Sequence, residues 1–401
     1  MRDARVLFVT TTYPLKSGDS VPSFVADLAQ ALVRNHDMRV RVIAPHHADA
    51  PKSEIVDGVE IERFQYALDP AKQCVAYGGG IPDNLKNIPR AKRQLPGFFA
   101  AMAGAVWRNA QWADLIHAHW VEPALLAMMA NWAHRPVVVS VHSLKPKASG
   151  LHRFTLGRAD RVLFNSQYTM GQARGNGYFP CRGQVIYQGY DERLFQPTEA
   201  GSAPTMRSML GIPSDAVVIV ALGRMIEVKG LHVLARATDQ ILDGRPAAHL
   251  VIAGDGPMRP TIETIVAQAA SRSRIHLTGA LARTDVARLL AEADMFVNPG
   301  IIDAGGRAEG LGITTIEAMA SGLACVGSRV GGIPETISDG ETGLLVSPGD
   351  EVELARAVGR LIDDVRLRKQ FGEAGRRVAR ERFTWPVLAG QVAEVYRKML
   401  R

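Results

Sequence analysis

Two glutamates bracket a glycine-containing turn in the second half of the chain. Glu309 precedes Gly310-Leu311-Gly312, and Glu317 lies in the helical pattern that begins near Thr314. Carboxylates accept hydrogen bonds from hydroxyl groups, so Glu309 could hold a sugar and Glu317 a ribose. The free amides and the dipole at a helix start also suit a diphosphate. A second interpretation of Glu317 stays open, because Thr314-x-x-Glu317 matches a capping box.

Two basic residues follow an apolar run that ends at Leu222. Arg224 and Lys229 lie within Gly223–Gly230, between a predicted strand and a predicted helix. An arginine binds phosphate oxygens through its fork, and a lysine acts as a point charge. The alternative is a pair of solvated basic residues beside a turn. Their place at the carboxyl end of a strand favours an anion site.

Histidines end two predicted strands in the first half of the chain. His142 and His119 are the candidates there, although a lone histidine at such a place is more often structural. His117-x-His119 could form a metal pair, since alternate residues of a strand share a face. No third ligand follows at a telling spacing and no Asp-x-Asp motif occurs, so we expect no metal.

Strand and helix patterns alternate from end to end, which is typical of parallel sheets covered on both faces. The alternation restarts after the Pro-, Gly- and Ser-containing segment 196–204, so we expect two α/β domains with a cleft at the carboxyl ends of their strands. The predicted strands are 5–10, 39–44, 59–64, 115–119, 136–141, 161–165, 184–187, 216–222, 249–253, 275–278, 295–298, 324–327 and 343–346. The predicted helices include 22–34, 123–132, 167–174 and 386–400.

Composition narrows the class of protein. The 401 residues carry a net charge of +7, are 47% hydrophobic and contain no apolar run of membrane-spanning length. The charge favours anionic partners such as nucleotides or lipid head groups, and nucleic acid is disfavoured. Cys74, Cys181 and Cys325 form no pairing pattern, so we expect a cytoplasmic protein.

Several short motifs occur in one order: Gly-Arg-x4-Lys-Gly at 223–230, Gly-Asp-Gly-Pro at 254–257, Glu-x7-Glu at 309–317, Gly-Gly-Ile-Pro-Glu at 331–335, and 340–346. Together they resemble glycosyltransferase family 4, and the resemblance covers almost the whole chain. It implies a retaining, metal-independent GT-B enzyme with two Rossmann-like domains. The expected parts are an acceptor domain 1–192, a linker 193–213, a nucleotide-sugar domain 214–382, and a helix 383–401 that returns to the first domain.

The resemblance also implies roles for individual residues. Arg224 and Lys229 would neutralise the leaving diphosphate, Glu309 would orient the donor sugar, and Glu317 would bind ribose. His142 would lie beside the donor sugar. The remaining residues expected to line the donor site are Gly18, Gly254, Gly310, Leu311 and Gly312. Gly18-Asp19 departs from the family's Gly-Gly pair, and the insert 301–308 is expected to reshape the sugar pocket.

The expected function is transfer of a sugar from a nucleotide sugar to a saccharide or lipid-linked acceptor in glycan or glycolipid biosynthesis. UDP is the favoured base and GDP the alternative, with no cofactor besides this donor. A non-catalytic relative that binds carbohydrate stays open. An NAD-dependent oxidoreductase is disfavoured, because no Gly-x-Gly-x-x-Gly follows the first strand.

The segment 86–106 could touch an anionic membrane at the inner face. Four basic residues precede an apolar pattern of Phe98, Phe99, Met102 and Val106, with Pro96-Gly97 expected to open the apolar helix. A solvated charge run followed by an ordinary core helix explains the same residues, and both interpretations stay open.

Overall fold

The computed structural model describes residues 4–16, 19, 23–78, 80–144, 150–178, 182–197 and 205–401. The chain forms two compact units, one of Met1–Tyr187 with Trp385–Arg401 and one of Gln188–Thr384. Residues 205–209, expected in a linker, instead lie in the second unit, where the backbone N–H of buried Met206 donates to Glu292.

Each unit contains one sheet. In the first unit the strand order is β3-β4-β2-β1-β5-β6-β7-β8, and only the β3–β4 pair is antiparallel. In the second unit the order is β11-β10-β9-β12-β13-β14, and all strands are parallel. The strands are β1 (Arg5–Val9), β2 (Arg39–Pro45), β3 (Ser53–Val56), β4 (Val59–Phe64), β5 (Leu115–His119), β6 (Val137–Val141), β7 (Arg161–Phe164), β8 (Gly183–Val185), β9 (Val217–Leu222), β10 (Ala248–Ala253), β11 (Ile275–Gly279), β12 (Met295–Asn298), β13 (Ala324–Ser328) and β14 (Gly343–Val346).

Helices cover both faces of each sheet. They are α1 (Phe24–His36), α2 (Ile81–Asn87), α3 (Pro89–Asn109), α4 (Val121–Ala130), α5 (Gly150–Arg158), α6 (Gln167–Gly175), α7 (Met206–Met209), α8 (Leu231–Leu242), α9 (Arg259–Gln268), α10 (Arg283–Glu292), α11 (Ile313–Ala320), α12 (Glu351–Asp363), α13 (Val365–Arg382) and α14 (Trp385–Met399). In the described part of the chain, no helix is both long and apolar enough to cross a membrane.

Successive side chains of β1 point to opposite faces of the sheet and so belong to two different cores of the first unit. Leu7 and Val9 of β1 belong to the cluster that contains α3 and α4 residues, and Val6 and Phe8 belong to the cluster on α1 and α14. Helix α14 therefore follows the second unit in the chain but packs in the first. The predicted fold, two parallel-sheet α/β domains with a C-terminal helix that returns to the first, is confirmed.

One local prediction is wrong, and the structure decides between two open interpretations of the apolar pattern on α3. The apolar helix does not open at Pro96-Gly97: α3 begins at Pro89, whose ring suits the first helical position, and Pro96 lies inside the helix. Of the two interpretations of the apolar pattern on α3, the core helix is the one that the structure shows. Phe98, Met102 and Val106 recur at helical spacing and are completely buried in the core, while Phe99 is 39% exposed. These buried residues belong to an ordinary core helix.

Candidate functional site

The loop after β9 places Lys229 at the carboxyl edge of the second sheet. Glu227–Lys229 form one 3-10 turn, and Gly230 follows with φ +63°. A Cβ on Gly230 would lie 1.9 Å from the carbonyl oxygen of Pro299, so only glycine allows this approach. The side chain of Lys229 passes over Gly223, and its amino group bonds the carboxylate of Glu309.

Glu309 lies in the long loop between β12 and α11, and a glycine pair holds that loop. The N–H of Gly332 donates to the carbonyl oxygen of Glu309 at 2.9 Å. A Cβ on Gly331 would lie 2.2 Å from the Glu309 oxygen, and a Cβ on Gly332 would lie 2.2 Å from the Gly310 oxygen. The motif at 331–335 therefore supports the turn that carries Glu309.

The Lys229–Glu309 ion pair lies at the point where the strand order reverses. Strand β9 is flanked by β10 on one side and by β12 on the other, and the loops after β9 and β12 supply the two residues. In open α/β sheets, ligands bind at such a switch point, outside the carboxyl ends of the strands. The side chains are 20% and 14% exposed, so the pair is only partly screened by water.

Helix α11 begins beside this pair without a side-chain cap. Its N-cap is Gly312 at φ +89°, and Thr314 is already inside the helix. The capping-box interpretation of Glu317 is therefore wrong, because that motif needs Thr314 at the N-cap. Glu317 lies half-buried in the helix. A first turn without a side-chain cap suits an anion or sugar hydroxyls.

Gly254 lies at a close approach of two loops, and Leu311 has a buried side chain. A Cβ on Gly254 would lie 1.9 Å from the Gly223 oxygen, so this glycine lets the loops after β9 and β10 touch. Leu311 is 1% exposed, and its side chain belongs to the protein interior. Arg224 lies exposed on the loop that also carries Lys229. The predicted site residue Gly18 falls outside the described residues.

His142 lies in the first unit, directly after β6, beside His119 at the end of the neighbouring β5. His119 Nδ1 and His142 Nε2 are 3.1 Å apart, and the two rings are nearly coplanar, with 4° between their planes. Phe24 and Trp120 pack on His142 with ring centroids at 4.6 and 4.9 Å. Burial lowers the pKa of His142 to about 3 and that of His119 well below its usual value, so both rings are neutral near pH 7.

Sequence reasoning did not find the pairing of these two histidines. Their only signal in the sequence is that each ends a predicted strand. His117, which shares a strand with His119, has both ring nitrogens occupied: Nδ1 lies 2.6 Å from Tyr396 Oη and Nε2 lies 2.7 Å from Ser140 Oγ. His117 and His119 are therefore not arranged as a metal pair. Within the ranges that the structure describes, no group of three or more His, Cys, Asp or Glu is placed to hold a metal ion.

Comparisons with known proteins match both halves of the chain. Residues 21–194 match a family described as Glycosyltransferase Family 4, and residues 216–364 match Glycosyl transferases group 1. Alpha-maltose-1-phosphate synthase from Mycolicibacterium smegmatis is 30% identical over 320 residues, which cover 73% of this chain and 80% of that protein. A GDP-mannose-dependent alpha-(1-6)-phosphatidylinositol monomannoside mannosyltransferase from the same organism is 32% identical over 281 residues, which cover 68% and 73%.

A solved structure shows the same fold. Sucrose-phosphate synthase from Thermosynechococcus elongatus has a TM-score of 0.80 at 22% identity, covering 99% of both chains. The motifs of the second unit, the sheet topology of both units and these similarities agree. The chain belongs to glycosyltransferase family 4 and has the GT-B fold.

Proposed function

We propose that this chain is a retaining, metal-independent hexosyltransferase that moves a sugar from a nucleotide sugar to a saccharide or lipid-linked acceptor. The observation that carries the proposal is the Lys229–Glu309 pair at the switch point of the second sheet, beside the start of α11. A cation and a sugar-binding carboxylate then lie within reach of the same ligand.

The chemistry needs this combination of groups. Departure of a nucleoside diphosphate leaves negative charge on the phosphates and positive charge on the sugar ring. Lys229, Arg224 and the first-turn amides of α11 would stabilise the departing diphosphate, so no metal is required for that charge. Glu309 would accept hydrogen bonds from hydroxyls of the donor sugar, and Glu317 from the ribose. In the absence of donor, Glu309 neutralises Lys229.

His142 would contact the donor sugar. Because burial lowers its pKa to about 3, the imidazole is neutral near pH 7 and carries one N–H. It therefore contributes a directed hydrogen bond to a substrate oxygen and no positive charge. Its ring is held in place by Phe24 and Trp120.

Substitution of the ion pair tests the site. We expect Lys229→Ala and Glu309→Ala each to lower turnover at least ~100-fold, because loss of one transition-state contact costs about 3 kcal/mol. Lys398→Ala and Glu394→Ala are the matched controls, since this pair on α14 is 2.6 Å apart and 65% and 63% exposed. Near-wild-type turnover in both site variants would refute the assignment.

A thermal-shift screen with UDP-, GDP- and ADP-sugars identifies the nucleotide of the sugar donor. A ligand that binds only the native state raises the melting temperature of the protein. UDP is the first choice and GDP the alternative, and one relative is named as GDP-mannose-dependent. The nucleotide sugar that raises the melting temperature is then incubated with the protein without an acceptor. An enzyme should hydrolyse it slowly, whereas a non-catalytic relative should bind it and leave it intact. The absence of a shift with every nucleotide sugar would count against the proposal.

Two further parts of the proposal have direct tests. The names of both relatives specify alpha-linked products, which supports retention with a donor that is itself alpha-linked. The anomeric signals of the product in an NMR spectrum decide this. Turnover after treatment with EDTA decides the metal requirement: unchanged rates support the proposal, and rates restored only by a divalent cation contradict it.

We also propose a cytoplasmic location with peripheral contact to anionic membrane. Lys86, Arg90, Lys92 and Arg93 are exposed, and residues 86–93 contain no acidic residue. Such a segment is attracted to anionic lipid, and one relative is named for a phosphatidylinositol acceptor. Cosedimentation at low salt with anionic but not with neutral vesicles would support this contact, and its absence would discard it.

A further inference from the structure

The loop between β12 and α11 is anchored to its neighbours before and after a turn. Before the turn, the N–H of Ile301 donates to the carbonyl oxygen of Val228 at 3.0 Å, and Val228 directly precedes Lys229. After the turn, the N–H of Gly332 donates to the carbonyl oxygen of Glu309 at 2.9 Å. The turn therefore connects an anchor beside the lysine of the ion pair to the anchor of the glutamate.

One buried carboxylate closes this turn, which consists of residues 303–307. The side chain of Asp303 is 1% exposed, and its Oδ1 atom accepts from the backbone N–H groups of Gly305 at 2.9 Å and Arg307 at 2.8 Å. Its Oδ2 atom accepts from Arg307 Nε at 2.7 Å and Nη2 at 2.6 Å. The backbone N–H of Asp303 also donates to the carbonyl oxygen of Arg307 at 2.9 Å. The first and last residues of the turn are therefore joined through main chain and side chain.

Asp303 is ionised near neutral pH in spite of its burial. Burial raises the pKa of its carboxyl group, but the hydrogen bonds from Arg307 and Gly305 outweigh burial and hold the pKa below its usual value. A buried carboxylate is tolerated only when such partners satisfy it. Within the described part of the chain, the partners of this carboxylate all belong to its own turn. Its charge therefore closes the turn and joins no other element.

We propose that Asp303 is a positioning residue that holds Glu309 opposite Lys229. Residues 304–307 are exposed, so packing does little to hold the turn, and the bonds to Asp303 do this instead. A closed turn leaves only a short connection between the two anchors of the loop. Without the carboxylate, the whole segment between Ile301 and Glu309 would gain conformational freedom, and Glu309 would no longer occupy one position.

The consequence concerns the donor sugar, and this part rests on the proposed function. Glu309 would accept hydrogen bonds from the sugar hydroxyls, whereas Lys229 and the start of α11 would hold the diphosphate. A displaced Glu309 should therefore misplace the sugar and leave the diphosphate bound. Loss of Asp303 should accordingly lower kcat without weakening the binding of a free nucleoside diphosphate.

Hydrogen exchange reports on the Glu309 segment without any substrate. The amide of Gly332 is protected by its bond to the Glu309 oxygen, so it should exchange faster when that segment loosens. We expect Asp303→Ala to speed exchange at Gly332, measured by NMR of the 15N-labelled protein. Unchanged exchange would overturn the proposal, because the glycine pair 331–332 would then hold Glu309 without help from the turn.

Asp239→Ala is the matched control in the same unit. Asp239 likewise accepts from two backbone N–H groups, that of Ala270 at 3.1 Å and that of Ser271 at 2.9 Å. Its substitution should speed exchange at these two amides and not at Gly332. An equal effect of both variants on Gly332, or a melting temperature of Asp303→Ala well below that of Asp239→Ala, would show that Asp303 supports the whole unit and would overturn a local role.

Turnover with a nucleotide sugar is the second measurement. We expect Asp303→Ala to lower kcat about 10–100-fold, as a small misplacement of a substrate-binding group can do, with inhibition by free UDP or GDP unchanged. Asp303→Asn keeps the Oδ1 acceptor for both backbone N–H groups, and the side chain of Arg307, which is 60% exposed, can then turn to water. This variant should therefore retain most of the turnover.

The two variants and the wild type together separate the possible failures. Wild-type kcat in Asp303→Ala, or an equal loss in Asp303→Asn, would contradict the role of the closed turn. If the wild-type protein turns over no nucleotide sugar but Gly332 responds as expected, the proposed function fails and the assignment of Asp303 stands.

Discussion

At the residue scale, glycines determine how closely the loops of the second unit can approach. Gly331 has φ +62°, and the backbone of Glu309 fills the space where its side chain would be. Gly340 has a similar φ of +77°, but nothing lies within 4 Å of a Cβ there. Both positions therefore require a positive φ, but only at Gly331 is there no space for a Cβ.

Alanine at these two positions separates the two requirements. Both variants incur about 1–2 kcal/mol of left-handed strain. Only Gly331→Ala must also displace the turn that carries Glu309, so we expect it to lower both the melting temperature and the turnover more than Gly340→Ala. Thermal unfolding and steady-state kinetics check this, and equal effects in the two variants would contradict it.

The buried His117 makes the stability of the first unit depend on pH. Burial lowers its pKa from 6.5 to about 3, so between these values the unfolded chain binds a proton that the folded chain does not. Its contribution is therefore complete above about pH 6.5 and decreases as the pH falls toward 3, by up to about 1.4 kcal/mol per pH unit.

Urea unfolding at pH 7 and pH 5 tests this dependence. We expect the free energy of unfolding of the wild-type protein to fall more steeply between these values than that of His117→Gln, which has no titrating side chain. The variant loses stability at both pH values. The difference between the two proteins in how much the free energy of unfolding changes from pH 7 to pH 5 therefore reports only on the proton that binds His117. Parallel slopes would show that His117 titrates alike in the folded and unfolded states.

At the element scale, helix α3 contains two glycines with different surroundings. A Cβ on Gly97 would lie 3.0 Å from the carbonyl oxygen of Tyr66, which belongs to the backbone and has little freedom to move. A Cβ on Gly104 would meet only the end of the flexible Arg108 side chain at 3.6 Å. The same substitution in one helix should therefore have opposite effects.

Chemical denaturation of the two alanine variants measures this difference. Gly104→Ala should raise the free energy of unfolding by about 0.5–1 kcal/mol, which is the helix preference of alanine over glycine. Gly97→Ala should lose that gain to the collision with Tyr66 and be less stable than the wild type. Equal stabilisation by both substitutions would mean that α3 can shift away from the backbone of Tyr66.

The sequence predicted those elements whose burial leaves a periodic pattern. Nearly all the strands were predicted, because their residues are either apolar throughout or nearly so, as in β9 and β1, or alternate between apolar and charged, as in β4. Strand β3 was missed, since it is a short antiparallel edge strand in which Ile55 is 73% exposed. The helix ends at Pro89 and Gly312 depend on cap geometry, which tertiary contacts decide.

The candidate site was predictable only in part for a related reason. The motifs indicated Lys229 and Glu309 separately, and the family resemblance assigned their roles. Their direct contact joins residues 80 positions apart, and the His119–His142 contact joins residues 23 apart. Neither distance follows from local patterns, because strand order in the sheet determines which loops become neighbours.

At the scale of the whole molecule, the first unit is completed by the last helix of the chain. Helix α14 packs on α1, and its Tyr396 is completely buried and bonds His117. Leu388 of the same helix is 1% exposed, while its neighbour Val387 is 39% exposed. Substitution of Leu388 should therefore destabilise the first unit, whereas substitution of its neighbour Val387 should have little effect on stability.

Hydrogen exchange can show which unit responds. Leu388→Ala should cost about 2–5 kcal/mol and speed exchange in β1 and α1, while the strands of the second unit exchange as in the wild type. Val387→Ala should change exchange little in either unit. Faster exchange throughout β9–β14 in Leu388→Ala would show that the two units unfold as one.

The connectivity of α14 also has a consequence during synthesis. A ribosome releases all of residues 188–384 before it releases the helix that covers Val6 and Phe8. The first unit is therefore completed last, and while the second unit is translated the apolar sheet face of the nascent chain is covered by α1 but not yet by α14. Such a surface is a target for chaperones and a source of aggregation when translation stalls before Trp385.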